Sequence, residues 1–269
     1  MNRYSSRIGA AVRAGVCAGL TLMALACWAQ AGPGADAIMA KVDQLNRPRY
    51  EIAKMRMELV GEGTERLRRE LVWYFVNDGD NRISLLKFSA PASVKSVSTM
   101  VVEEAGKANA IWHYLPATRN VRRISAEHRQ NRFMGTEFVF EDFEGLKLSK
   151  YKFKLLRAET CGSASRCHVI EAIAGDPEER DSSSYGKKVF WIDQDNFAIV
   201  RTELYDRNGA VAKIVENSDF RQIGGHWRAR RQVMLNVRNG HSTVLTEIDR
   251  KVDAQFDRYY VSQQYLRSE

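Results

Sequence analysis

Much of the chain alternates apolar and polar residues with the period of two that marks a half-buried strand. One early segment has a helical period instead. Ile38, Val42 and Leu45 recur at spacings of four and three, Asp36 stands near the start, and Pro48 follows. This predicts an amphipathic helix over residues 35–45 whose stripe packs on a sheet. Strands are predicted at 50–60, 67–76, 82–89, 97–103 and 110–115, with turns at Asp78-Gly79 and Ala105-Gly106 and a break at Pro91. The run from Leu71 to Val76, with Trp73 and Phe75 inside it, does not alternate. It reads either as a strand buried in core on both faces or as one with a cavity on one face. Residues 149–156 alternate cleanly, with Tyr151, Phe153 and Leu155 on a dry face and Lys150, Lys152 and Lys154 on a wet one. Another strand is predicted at 168–173.

The last third is the most regular. Turn signals fall at Asp195-Asn196, Asn208-Gly209, Gly224-Gly225 and Asn239-Gly240. Asn-Gly predicts a two-residue type I′ hairpin, whose central residues both need positive φ. Between Trp227 and Val237, Trp227, Ala229, Val233, Leu235 and Val237 share one face, and Arg228, Arg230, Gln232, Met234 and Asn236 share the other. Long consecutive hairpins make an antiparallel meander, and long strands twist and coil. Such a sheet curls toward a barrel or half of one. With no linker, low-complexity stretch or helical repeat, residues 32–269 read as one domain.

Residues 1–31 do not read as part of that fold. Arg3, Arg7 and Arg13 precede a short apolar run from Val16 to Ala29, and Ala29-Gln30-Ala31 fits a cleavage site. The run is too short for a bilayer span with flanks. The expectation is a secretory signal cut after Ala31 and a periplasmic mature protein. An uncleaved anchor and a lipoprotein with Cys27 as the lipidated residue are the alternatives. Without its leader the chain keeps 38 basic residues against 33 acidic ones, a net charge of +5. That permits attraction to anionic lipid without demanding nucleic acid. Hydrophobic content of 44% with 28% charged residues suits a folded core rather than disorder. Two cysteines leave with the leader, and Cys161 and Cys167 remain as an even pair in an exported protein, which predicts a disulfide. Their spacing does not fit a C-x-x-C redox pair.

No catalytic or metal constellation is visible. The five histidines form neither H-E-x-x-H nor H-x-H, and His113 and His168 read as ordinary strand residues. G-x-S-x-G, the phosphate-binding loop and G-x-G-x-x-G are absent. Glu141, Asp142 and Glu144 lack the alternation of a calcium loop. The expectation is a non-enzyme with no cofactor and no metal.

What stands out is the stretch from Ile111 to Asp142, where cations and large apolar groups sit side by side. Arg119, Arg122, Arg123, Arg129 and Arg132 read either as a solvated, ion-paired loop or as a patch docking on lipid headgroups or an acidic partner. Phe133, Met134, Phe138 and Phe140 read either as core or as the lining of an apolar cavity, and Trp73, Phe75, Trp112 and Tyr114 are expected to line the same cavity. The first helix and the loop from Arg119 to Arg132 are candidate lids.

The order L-P-x-x-R-x-V-R-R-I-S (Leu115 to Ser125), then R-F-M-G-T-E-F-V-F-E-D (Arg132 to Asp142), then a strand, resembles the bacterial outer-membrane lipoprotein-sorting family, the LolA-like periplasmic carriers. The leader, the first helix and the terminal Tyr265-Leu266-Arg267 add to the likeness. The resemblance implies a mostly β (α+β) fold: a strongly curved antiparallel sheet forming an unclosed β-barrel, with helices covering its concave side. It implies a monomeric carrier of lipoproteins or other lipids between inner and outer membranes, with an inner-membrane transporter and an outer-membrane receptor as partners. A lipid-binding subunit of an export system of the resistance-nodulation-division type and a lipoprotein-sensing regulatory domain are the alternatives. It transfers no ligand residue to this chain.

Overall fold

A computed structural model describes residues 33–61, 66–162 and 165–269. The expected leader lies outside the described residues, so the cleavage site and the Cys27 alternative rest on the sequence alone. Strands β1 (Tyr50–Val60), β2 (Leu67–Asp78), β3 (Asn81–Ala90), β4 (Ser98–Glu103), β5 (Ala110–Leu115) and β6 (Asn120–Ile124) make one antiparallel meander. A second runs through β7 (Tyr151–Cys161), β8 (Ser165–Ala174), β9 (Lys187–Asp193), β10 (Ile199–Tyr205), β11 (Val211–Ile223), β12 (His226–Asn236) and β13 (Ser242–Val252). The antiparallel pairing of β1 with β13 joins them into one 13-stranded sheet, ordered β6-β5-β4-β3-β2-β1-β13-β12-β11-β10-β9-β8-β7. β6 and β7 are its two free edges, so the sheet is not closed.

Its curvature can be read from side chains. Asn109, just before β5, donates to Glu144; Arg129 donates to the same carboxylate at 2.6 Å and to Glu179 at 3.3 Å. Glu179 belongs to the short helix α2 (Pro177–Ser182) that follows β8. In a flat sheet β5 and β8, ten strands apart, would lie about 48 Å from each other. Three hydrogen bonds span the distance because the sheet has curled until its edges face.

Strand alternation then sorts the apolar residues by face. Met55, Met57, Leu71, Leu86, Phe88, Val101 and Ile111 point inward, where the segment between β6 and β7 fills one end of the hollow with Phe133, Phe138, Phe140 and Phe143. Phe133 sits at the centre of that plug, edge-to-face on Phe143 (4.6 Å between centroids) and stacked on Phe88 (6.0 Å). At the other end α1 (Ala35–Asn46) lays Ile38, Met39 and Val42 against Ile170, Ala172, Phe190 and Ile192 of β8 and β9. Leu45, expected on the same stripe, is 43% exposed because the last turn overhangs the contact. Outward, Tyr50, Tyr74, Val76, Leu85 and Tyr114 are covered by the C-terminal segment, whose α3 (Gln263–Leu266) buries Leu266 completely. The non-alternating run in β2 is apolar because the C-terminal segment covers its outward face while Leu71, Trp73 and Phe75 face the hollow.

Several turns differ in detail from expectation. Gly224 and Gly225 both have positive φ, as a two-residue primed turn requires. At Asn208-Gly209 and Asn239-Gly240 only the glycine does. Asp206 accepts from the backbone N–H of Asn208 and Ala210, and Asn239 from that of His241, so side chains brace longer loops there. The largest correction concerns Asn120–Ile124, expected as part of the arginine-rich loop from Arg119 to Arg132. It is the edge strand β6, with Ile124 paired to Ile111 and turned into the core, and its arginines hid the period. Leu155, expected on the dry face of β7, is 39% exposed beside a register shift at Leu155/Arg157. Cys161 and Cys167 form the expected disulfide, Cα–Cα 5.8 Å, near the tip of the β7–β8 hairpin.

Candidate functional site

The hollow of the sheet holds a branched chamber. Its largest lobe, about 570 Å³, lies between α1, the β4–β5 turn and the segment from Gly145 to Ser149. A second lobe of about 280 Å³ is mostly apolar, walled by Val42, Ala53, Met55, Trp73, Phe75, Phe220, Trp227 and Leu245. Val42, Asn46, Glu51, Phe75, Ile199 and Arg228 border both. A third, about 180 Å³, lies between Phe138, Met234, Phe190 and a group of charges. Lobes of this size and mixed lining suit a ligand with an apolar body and a few polar atoms.

The charges in the chamber are held in place. Glu51, 6% exposed, accepts from Arg228 Nε and Nη2 at 3.0–3.2 Å and from Arg250. Arg250 also donates to Glu247 at 2.7 Å, and Arg221 to the same carboxylate. Arg228 ties the network to α1 by donating to Asn46 O at 3.0 Å. Arg82 stands on the Phe75 ring, 5.0 Å from its centroid, and approaches Glu103 only to 3.9 Å. Burial pushes its pKa down, and its Nε finds no hydrogen-bond partner among the described residues. Beside the plug, Tyr185 Oη donates to Asp142 at 2.9 Å, and burial pushes that carboxyl up despite Lys213 close by. Burial opposes the charge on Lys188, yet Glu141 at 3.4 Å, with Tyr151 and Asp142, holds its pKa above the usual lysine value.

The expected cavity residues divide. Trp73 and Phe75 line the apolar lobe, and Phe138 borders the third. Phe133 and Phe140 are buried in the plug, with Met134 half-buried against it; they are core rather than lining. Trp112 and Tyr114 face outward with the C-terminal cluster, because Ile111 and His113 take the inward positions of β5. His113 is an ordinary sheet residue, bonded to Thr99 Oγ1 at 2.9 Å. On β12 Arg228, Gln232 and Met234 border the chamber from the more polar face, and Trp227 and Ala229 reach the second lobe from the other.

The arginine group divides as well. Arg119, Arg122 and Arg123 are exposed on and beside β6, with Arg123 5.7 Å from the Trp112 ring centroid. Arg132 pairs with Glu137 at 2.5 Å and donates to Thr136 O. Arg129 is withdrawn, only 13% exposed, and held by Glu144, Glu179 and Ser182 Oγ. Burial works against its charge, but the two carboxylates raise its pKa. The partners Glu51–Arg228–Arg250 and Arg129–Glu144–Glu179 were out of reach of sequence reasoning. The first three lie on β1, β12 and β13, the other three on the segment between β6 and β7 and on α2, and neither group carries a local spacing. Among the described residues no cluster of potential ligands could hold a metal, and no helix is long and apolar enough to cross a membrane.

Residues 80–268 match a protein-family model described as an uncharacterized protein. Among the curated proteins none matches. Among solved structures the chain is similar to an outer membrane lipoprotein-sorting protein domain from Vibrio parahaemolyticus. Identity is 28% and the TM-score 0.80 over 87% of this chain and 98% of that one. A DUF1329 family protein from Desulfovibrio piger gives 23% identity and a TM-score of 0.80 over 86% and 97%. A LolA superfamily protein from Nitrosomonas europaea gives 20% identity and 0.67 over 87% and 99%. The last two likenesses are of fold.

Proposed function

The chain belongs to a LolA-like family, and on that premise we propose that it is a periplasmic carrier. It binds the acyl part of a lipoprotein or another lipid in the chamber beneath α1 and moves it between inner and outer membranes without catalysis. The observation that carries this reading is the chamber itself, whose apolar lobe adjoins a larger one of mixed lining. Hiding an acyl chain contributes about 0.8 kcal/mol per methylene, so a chain of about 16 carbons gains on the order of 10 kcal/mol. No nucleotide or catalytic group is needed for that.

A carrier must also give its cargo up, which calls for a cover of limited stability. α1 fits that role. Beyond its apolar stripe it is held at its C-terminal end by a few polar contacts: Asn46 to Phe197 O at 3.0 Å, Arg228 to Asn46 O, and His226 Nδ1 to Leu45 O at 2.8 Å. The exposed Arg119, Arg122 and Arg123 are the docking patch for an anionic surface. A membrane transporter that loads the carrier and an outer-membrane receptor that unloads it are the partners this role requires.

Native mass spectrometry with lipid extraction, on protein purified from its own periplasm, tests the reading. Co-purified acylated lipoprotein is the expected result. Free lipid in its place shifts the role to a soluble subunit of a lipid-export system. Protein that is empty, and stays empty when offered lipid, overturns the carrier.

A further inference from the structure

Among the described residues the sheet that walls the chamber has one break, between the edge strands β6 and β7. Elsewhere neighbouring strands are joined by backbone ladders, which cannot part without exposing rows of unpaired N–H and C=O groups. At the break no strand ladder joins the two edges, and side chains from the segment between β6 and β7 span the gap. Arg129 holds Glu144 at 2.6 Å and Glu179 at 3.3 Å, Asn109 donates to Glu144, and Lys150 lies 3.6 Å from Glu179.

These five residues border two cavities at once. One is the inner lobe of about 180 Å³; the other is an outer opening of about 330 Å³ on the far side of the same side chains. The partition is thus one side-chain layer thick. The outer opening has apolar wall in Ile111, Ile124 and Ala126, and Arg123 stands on its lip. One atom of the layer, Asn109 Oδ1, is buried and unpartnered among the described residues, and burial pushes Glu144 up against the pull of Arg129.

We propose that this seam is the portal by which the acyl chain of an anionic amphiphile enters and leaves the chamber, with Arg129 bridging Glu144 and Glu179 as its latch. The inference rests on the carrier reading. Swinging Arg129 aside breaks a few charge-assisted bonds and no ladder. The exposed arginines of β6 present the same opening to an anionic surface, so docking and entry coincide.

The test is the exchange kinetics of a fluorescent hexadecanoic acid analogue. Arg123→Cys and Glu178→Cys, both at residues that line the outer opening, are introduced together and bridged with a bifunctional thiol reagent. The same preparation left unbridged is the control. Bridging is expected to slow uptake and release together, at least tenfold, as a gate requires. Glu144→Gln, which keeps the shape and removes the charge, is expected to speed both at least tenfold. Probe that binds but exchanges at the control rate after bridging overturns the portal alone and points to entry beneath α1. Unchanged exchange in Glu144→Gln overturns the latch. Failure of the unmodified protein to bind the probe overturns the carrier and the portal together.

Discussion

Glu51 is a single carboxylate placed between Arg228 and Arg250 at the junction of two chamber lobes. A buried ion pair adds little net stability over an apolar substitute, but removing one partner strands the other charge. Glu51→Ala leaves two guanidiniums with one fewer acid and is expected to cost about 3–5 kcal/mol in urea unfolding. His113 shows the reverse situation, a titratable group buried without an acid. Desolvation first, and then Arg122, lower its pKa from 6.5 to about 4. The unfolded chain therefore holds more protons between those values, so stability declines as pH falls from 6.5 toward 4 and is unaffected by this group above that window. The loss reaches on the order of 3 kcal/mol at full protonation. Unfolding measured at pH 7 and pH 4.5 is expected to show this decline, and His113→Gln to remove its share of it.

Elements were legible where one physical pattern dominated. α1 announced itself by period and Pro48, and the hairpins of the second meander by their glycines. β6 was not legible, because charge on an edge strand obscures alternation. The aromatic residues were found as a group, but which of them meet the chamber depends on strand parity and on the plug. Neither Trp112 nor Phe133 carries that information locally. Arg129 looked like Arg122, although one is buried between carboxylates contributed by distant segments and the other is free in solvent. The β7–β8 hairpin gives a prediction at this scale. It is an exposed edge stapled near its tip by Cys161–Cys167. The short closed loop is worth about 2 to 2.5 kcal/mol of unfolded-state entropy. Cys161→Ser with Cys167→Ser is expected to lower stability by about 2 kcal/mol and to leave probe binding intact, since the staple is remote from the chamber lining. Loss of binding in that variant would place the hairpin in the ligand's path.

For the whole molecule, the exposed arginines and the chamber predict a salt-sensitive encounter. Each basic residue near an anionic bilayer contributes about 1 kcal/mol. Changing Arg119, Arg122 and Arg123 to glutamate is expected to weaken cosedimentation with anionic vesicles by about 100-fold or more at low salt, with a smaller difference at high ionic strength. Equal binding by both proteins would remove the docking patch from the account.

The strand order carries a consequence in time. The first meander grows outward from β1 to one edge; the chain then crosses to the opposite edge and works back, so that β13, the last strand, lands beside β1, the first. Most pairings are between sequence neighbours and can form early, while this one must close the longest loop in the chain. A chain delivered from its N-terminus can therefore ladder each half as it emerges. It has no hollow until its final strand arrives, and half-made copies have nowhere to hold a lipid.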